Sequence, residues 1–234
     1  KRFRNVFEFA YKRFSDIALA EAQAKEAKLE ASLEKVRAQA MAMHTTEELK
    51  SVGETIYHEL ESLGFSDIRN TEIIINHDEK QTIVSYYCDY GVCGTIEVGY
   101  KTNPILHQWA NDLKKASDAF VPVVISEKEM PDWRKFREEI GYLPDEKLNA
   151  ASSVYYYSYS TGLGALSVSS LAPISEEQMK ILGRFRNVFA LAYRRYVDVA
   201  QAEAQAREAQ IQLALERVRA RTMAMQRSDE LMDA

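Results

Sequence analysis

Cys88 and Cys93 flank the stretch Asp89-Tyr-Gly-Val92. With Tyr90-Gly91 as a two-residue hairpin loop, the two thiols face each other across adjoining strands. That registry permits a redox-switchable disulfide, although bridging adjacent strands is geometrically demanding; such cysteines are more often small apolar strand residues. The four histidines, His44, His58, His77 and His107, show no Cys/His spacing that would hold zinc. Thirteen tyrosines include Tyr86-Tyr87, Tyr155-Tyr-Tyr157 and Tyr159. Strand alternation sends Tyr155, Tyr157 and Tyr159 to one face and Tyr156 to the other. One such face either lines a pocket with hydroxyl handles or covers the sheet against flanking helices. No Ser/His/Asp or paired-carboxylate arrangement stands out, so the expected chemistry is recognition without catalysis.

These side chains need a scaffold, and its elements are legible in the patterning. Leu49, Val52, Ile56, Leu60 and Leu63 form a helical stripe that closes at Gly64. Strands are predicted over 71–75, 82–88 and 94–100, with turns around 77–80 and 90–91. Asn103-Pro104 opens a helix predicted to run through Ala119, followed by a short strand over 121–125. Pro131-Asp-Trp-Arg starts another helix that Gly141 ends. Residues 153–160 and 165–170, joined by Thr161-Gly-Leu-Gly164, read as a hairpin. Ser175-Glu-Glu-Gln178 is a capping box that opens the last helix. The order predicts an α+β fold, an antiparallel sheet with helices on one face.

The two ends of the chain are copies of each other. Sliding by 182 positions places residues 2–52 on 184–234 without a gap, and 28 of the 51 positions are identical. So long a period means a repeated domain with its linker rather than a solenoid unit. In each copy apolar residues step by three and four: Phe3, Phe7, Ala10, Phe14 and Ile17, and again Phe185, Phe189, Ala192, Tyr196 and Val199. Further on, Leu29, Leu33, Val36, Ala40 and Met43 match Ile211, Leu215, Val218, Thr222 and Met225. Ala, Glu and Gln fill the stretch between, so each copy predicts one helix of about 40 residues, on the order of 60 Å. The stripe is narrow. Its expected cover is a parallel helix from a second copy of the protein, with the second set of positions as the dimer seam. Thr45-Thr-Glu-Glu48 signals a restart, so the connector is expected to kink near 43–46. The resulting division is a connector over 1–44, a module over 45–174, and a last module helix running into the second connector over 175–234. The chain opens on Lys1 and ends inside a repeated phrase, so the expected setting is a longer tandem array.

A formal net charge of −5 and a pI near 5.6 offer no basic field for nucleic acid. No apolar run approaches the ~20 residues of a membrane span, no signal peptide is visible, and two cysteines do not make a disulfide scaffold. The expected location is the cytoplasm. Arg2, Arg4, Lys12 and Arg13 beside Phe3, Phe7, Tyr11 and Phe14 also suit a membrane-surface helix; packing on the module or its partner is the expectation instead.

The phrase Leu33-Glu-Lys-Val-Arg-Ala-Gln-Ala-Met-Ala-Met43 returns as Leu215-Glu-Arg-Val-Arg-Ala-Arg-Thr-Met-Ala-Met225, followed by Ser228-Asp-Glu-Leu231. It resembles the signalling-helix connector of bacterial multidomain sensors, mainly sensor histidine kinases with tandem GAF domains. The module between resembles a GAF domain in element order and in Gly164-Ala-Leu-Ser-Val-Ser. The resemblance implies a GAF-like sensory input module, homodimeric, passing ligand occupancy along its helices to neighbouring modules and an output domain. It places Tyr86, Cys88, His107, Trp109 and Tyr156 as ligand-pocket candidates, with Cys88 and Cys93 as a possible redox pair. The ligand and cofactor are unknown: the Asn-Lys…Phe…Asp-Glu signature of cyclic-nucleotide-binding GAF domains is absent, and no cysteine stands where bilin-binding relatives attach chromophore. His58-Glu-Leu60 resembles the opening of a kinase phosphoacceptor box but lacks its downstream pattern. The alternative is a ligand-free structural spacer that only dimerises.

Overall fold

The computed structural model describes residues 2–89, 92–162 and 164–224. Met225 of the expected seam, the expected loop at Tyr90-Gly91, Leu163 and the phrase at 228–231 lie outside the described residues. Among the described residues, six α-helices and six strands follow in order: α1 (Arg2–Met41), α2 (Leu49–Ser62), β1 (Ile68–His77), β2 (Thr82–Asp89), β3 (Val92–Gly99), α3 (Pro104–Leu113), β4 (Phe120–Ile125), α4 (Met130–Glu139), α5 (Glu146–Ala150), β5 (Val154–Ser160), β6 (Gly164–Ser170) and α6 (Glu176–Ala224).

Local chemistry explains most boundaries. The Asn103 side chain caps α3 by accepting from the N–H groups of Ile105 and Leu106, with Pro104 at the first turn. Ser175 and Gln178 exchange hydrogen bonds of 3.2 and 2.8 Å at the start of α6, the expected capping box. Gly64 and Gly141 end α2 and α4 at φ +95° and +90°. Between α1 and α2 the chain bends through a 3-10 turn, Thr46–Glu48, as the restart signal predicts. Thr45 makes no side-chain cap there; the Glu48 carboxylate instead accepts the His44 N–H at 2.7 Å. α3 ends at Leu113 rather than Ala119, because Lys114, Lys115, Ser117 and Asp118 supply no apolar residue to continue its buried face.

The strands form one antiparallel sheet in the order β3-β2-β1-β6-β5-β4. The α+β antiparallel architecture is as predicted; its helices on one face are not. Ile73, Ile75, Tyr86, Tyr157, Leu166 and Val168 pack under α1, α2 and α6. Ile74, Ile83, Ile96, Val98 and Val121, from the other face, pack under α3 and α4 through Trp109, Leu113 and Phe136. Helices therefore cover both faces. The central strands are buried on both sides, so burial runs almost unbroken along β1 and β6, polar residues included. The close fit of these strands is clearest at Gly164, where an added Cβ would stand 2.0 Å from the carbonyl oxygen of Ile74.

The long helices divide their labour. Leu29, Leu33, Val36, Ala40 and Met43 are buried within the chain against α2 and α6, which corrects the expectation that nothing in the chain covers them. Ser32 and Lys35 bond the Glu59 carboxylate on α2 at 2.6 and 2.8 Å. α1 and α6 run parallel here: Arg184 pairs with Glu26 at 2.8 Å and with Glu30, Arg195 reaches the carbonyl of Met43 at 2.9 Å, and Thr46 bonds Glu203 at 3.2 Å. The repeated positions are thus used unequally. Val36 is 0% exposed and its counterpart Val218 64%; Phe185 is 0% exposed and its counterpart Phe3 94%.

Replacing Gly164 by Ala should force β1 and β6 apart, at a cost of about 3 kcal/mol or more. The urea midpoint of the variant should fall accordingly; an unchanged midpoint would mean that the strands are not held this closely.

Candidate functional site

A cavity of about 70 Å³ lies between the sheet and the α3–α4 layer. Its apolar wall includes Ile74, Ile83, Val98, Ile105, Trp109 and Val123, with Trp133 and Phe136 from α4. Glu72, Arg137, Tyr142 and Ser167 form its polar end. Strand alternation sets this division, since Glu72 and Ile74 project into the cavity while Ile73 and Ile75 project into the helix layer on the opposite face. Both tryptophans are anchored through their indole N–H groups. Trp109 donates to Ser158 at 2.9 Å, and Ser158 shares a 2.8 Å bond with Ser167; Trp133 donates to Tyr156 at 3.0 Å.

Behind the polar end lies a buried charge cluster. Arg69, without solvent exposure, donates from Nε to Ser169 at 2.9 Å and from Nη1 to Asp145 at 2.6 Å, with Asp89 at 3.4 Å. A register shift between Ile68 and Asn70 against β6 brings consecutive residues to the same partner: Ser169 accepts from Arg69 and donates to Asn70. Glu72 accepts from Asn70 at 2.7 Å, Ser85 at 3.1 Å and Tyr142 at 3.3 Å. Arg137 lies 3.6 Å over the Tyr142 ring and 3.6 Å from Asp89. Yet Nη2 of Arg137, Nη2 of Arg69 and Oδ1 of Asp89 are buried without a hydrogen-bond partner. Arg137 and Tyr142 also line a second cavity, of about 170 Å³, bounded by Leu143, Pro144, Asp145 and Leu148. The arginine–tyrosine pair is therefore the partition between the two spaces.

Burial pushes the Asp89 carboxyl above its ordinary value, in spite of Arg69 and Arg137. Burial also pushes the Tyr142 phenol up, and the Glu72 carboxylate adds to this, so it remains a neutral donor. Asp145 moves the other way: burial alone would raise it, but the Leu148 N–H and Arg69 hold it below the usual carboxylate range.

Of the five pocket candidates, Trp109 and Tyr156 line the cavity. His107 is exposed on α3, next to Asn111. Tyr86 faces the opposite layer, against Tyr196 of α6. Cys88 shares that face, and β2 has no register in which Cys88 and Tyr87 reach the same side. Cys88 and Cys93 are directly paired in the β2–β3 register and joined by a disulfide, with Cα atoms 4.1 Å apart. The bridge pins the end of β2 where Asp89 enters the charge cluster. Tyr155, Tyr157 and Tyr159 pack towards the long helices; Tyr159 donates to the Met179 carbonyl at 3.0 Å, and Tyr157 accepts the Ile174 N–H at 3.1 Å. Sequence reasoning passed over Arg69, Glu72, Arg137, Tyr142 and Asp145. The available signal was charge within strand sequence, Arg69-Asn-Thr-Glu72 beside Ile73-Ile-Ile75.

No protein-family model and no curated protein matches the chain. Solved structures similar to it include a GAF domain, at TM-score 0.44 and 13% identity, over 72% of this chain and 88% of that one. Another is the phycoerythrobilin-bound GAF domain of a cyanobacterial phytochrome, at TM-score 0.40 and 14% identity, over 70% of this chain and 96% of that one. Neither similarity assigns a ligand, and the architecture rests on the strand order and packing described above.

The Asp145→Asn variant should lose about 3 kcal/mol at neutral pH, because buried Arg69 loses its shortest ion pair. A depressed carboxylate pKa contributes stability above the unfolded value near 3.9, and loses it as pH falls through the folded value. The acid-side decline below about pH 4 should therefore be shallower in the variant. Asp89, with its raised pKa, acts in the opposite sense and remains in both proteins. Urea midpoints measured from neutral to acid pH check both effects; equal slopes would remove Asp145 from the acid response.

Proposed function

We propose that this chain is a non-catalytic sensory module of a cytoplasmic multidomain signalling protein, of the kind that feeds a histidine kinase. It binds a small ligand between the sheet and the α3–α4 layer, and passes occupancy to α1 and α6. These helices pair in parallel with helices of a second copy. The single observation that carries the reading is the double duty of β1: Glu72 and Ile74 wall the cavity while Ile73 and Ile75 seat the long-helix layer. A ligand that moves this strand moves the floor beneath the helices.

The lining suits an apolar ligand with an acceptor at one end. Rings and aliphatic chains meet its body, and Arg137, whose Nη2 lies near Asp89 without a hydrogen bond, meets its polar end. The size also matters. A cavity near 150 Å³ holds benzene, so the space of about 70 Å³ admits only a few heavy atoms until Arg137 and Tyr142 part and join it to the second cavity. Such a ligand signals by selecting the parted state, and only by as much as it prefers that state. The small volume of the present cavity favours the rival reading, a ligand-free dimerisation spacer.

Native mass spectrometry of the gently purified chain separates the two. A sensor should carry a reproducible added mass on each protomer, and Ile105→Phe, which fills the cavity from α3, should remove it while the variant stays folded. Small apolar carboxylates should raise the melting temperature of the wild type and leave Ile105→Phe unmoved. No added mass, and no shift with any such compound, would leave the spacer.

A further inference from the structure

The two cysteines of the sequence are joined at the edge of the sheet, and their sulfurs have unlike surroundings. Cys88 is buried on β2, and its sulfur lies 3.7 Å from the carbonyl oxygen of Lys50 in the first turn of α2. Cys93 is partly exposed on β3, the outermost strand, beside the exposed Val92. A small thiol from solvent therefore meets Cys93 and not Cys88. A disulfide sulfur carries no hydrogen, so in the bridged state Cys88 makes no hydrogen bond to Lys50. As a thiol it has an S–H to donate, and that carbonyl is already within reach. The buried sulfur thus has a partner in either state, β3 when oxidised and α2 when reduced. Its position matters to both faces of the sheet. Thr71, paired with Cys88 across β1 and β2, donates to the Gly53 carbonyl of α2 at 2.9 Å. α2 in turn packs Val52, Ile56 and Leu60 into one cluster with Leu33, Val36 and Phe189 of the long helices. The next residue of β2, Asp89, lies 3.4 Å from Arg69 and 3.6 Å from Arg137. The cysteines are five positions apart, and so short a closure restrains the unfolded chain least. The bond acts locally, and the core holds the fold without it.

We infer that Cys88 and Cys93 form a thiol–disulfide exchange site for a low-molecular-weight thiol and its disulfide, with Cys93 as the sulfur that reacts with solvent and Cys88 as its buried partner. In reduction, the thiolate of one small thiol attacks Cys93 Sγ and breaks its bond to Cys88, which leaves as a thiolate and takes a proton from solvent. A second small thiolate attacks the outer sulfur of the mixed disulfide and releases Cys93, also to be protonated. Two thiols become one disulfide, and the protein gains two electrons and two protons. Oxidation runs the steps backwards: Cys93 attacks the small disulfide, and the Cys88 thiolate then displaces the second small thiolate from Cys93. Exchange moves the tie at the end of β2 from β3 to α2, beneath the long helices. This input is separate from the cavity, and it stands whether or not a ligand binds there.

The test equilibrates the folded wild-type chain in glutathione buffers of graded ratio, traps free thiols with N-ethylmaleimide and counts them by mass. The bond should open in millimolar reduced glutathione and close again in oxidised glutathione, with the circular dichroism unchanged throughout. Hydrogen exchange should quicken on reduction in β3 and stay unchanged in β4 and β5. Two variants identify the entry sulfur. With oxidised glutathione, Cys88→Ser should gain one glutathione on Cys93, and Cys93→Ser should gain it at least about tenfold more slowly, because its remaining sulfur is buried. A bond that opens only in denaturant, or whose opening unfolds the chain, is a structural staple, and the inference is overturned. Equal rates in the two variants overturn the role of Cys93. The wild-type titration decides the exchange by itself, even where a serine variant does not fold.

Discussion

Arg69 carries its charge where no water reaches it, and three strands and a loop are arranged around that charge. Removing a guanidinium from water costs several kcal/mol, and only close, well-directed partners offset the cost. Those partners come from β2 (Asp89), β6 (Ser169) and the approach to α5 (Asp145), while Glu72 lies 4.0 Å away on β1 itself. Each partner is thereby tied to the others. Asp145 caps α5 with one carboxylate oxygen and holds Arg69 with the other. The disulfide fixes the end of β2 beside Asp89. The cluster ties β1, β2, β6 and the approach to α5 together, and it adjoins the polar end of the cavity.

Because β1 and β6 are buried on both faces, the sheet separates two environments that cannot be altered independently. One face meets the α3–α4 layer and contains the cavity; the other seats α1, α2 and α6. Close-packed interiors transmit displacement instead of absorbing it. In the proposed reading, this is how a change in the small space near Trp109 would reach the long helices. Arg137 and Tyr142 line both cavities, and Nη2 of Arg137 lacks a hydrogen bond, so in the proposed reading this pair is the part that would have to move.

The long helices show how one sequence serves two environments. An apolar stripe at three–four spacing specifies that a helix needs cover, but not what provides it. In the first copy the later half of the stripe is covered by the module, and in the second copy the earlier half is. Nothing in either phrase predicts this, because the difference lies in which element precedes or follows it.

Periodicity, caps and turn residues determined the elements by themselves: the six strands, the two helices of 40 and 49 residues, the Ser175 capping box and the terminating glycines were legible because each depends on neighbours within a few positions. Five-residue α5 was too short to show a period, and α3 stopped where its buried face ran out. Trp109 and Tyr156 were legible as cavity residues, and the pairing of Cys88 with Cys93 followed from hairpin registry. Tyr86, Cys88 and His107 were misplaced because their face is set by the phase of a strand or helix against layers distant in sequence. The same holds for Arg69, 76 residues from Asp145 and 100 from Ser169. Only tertiary structure decided that a charged residue next to an isoleucine run would be buried, since its desolvation is offset by groups that come together only when the sheet has closed.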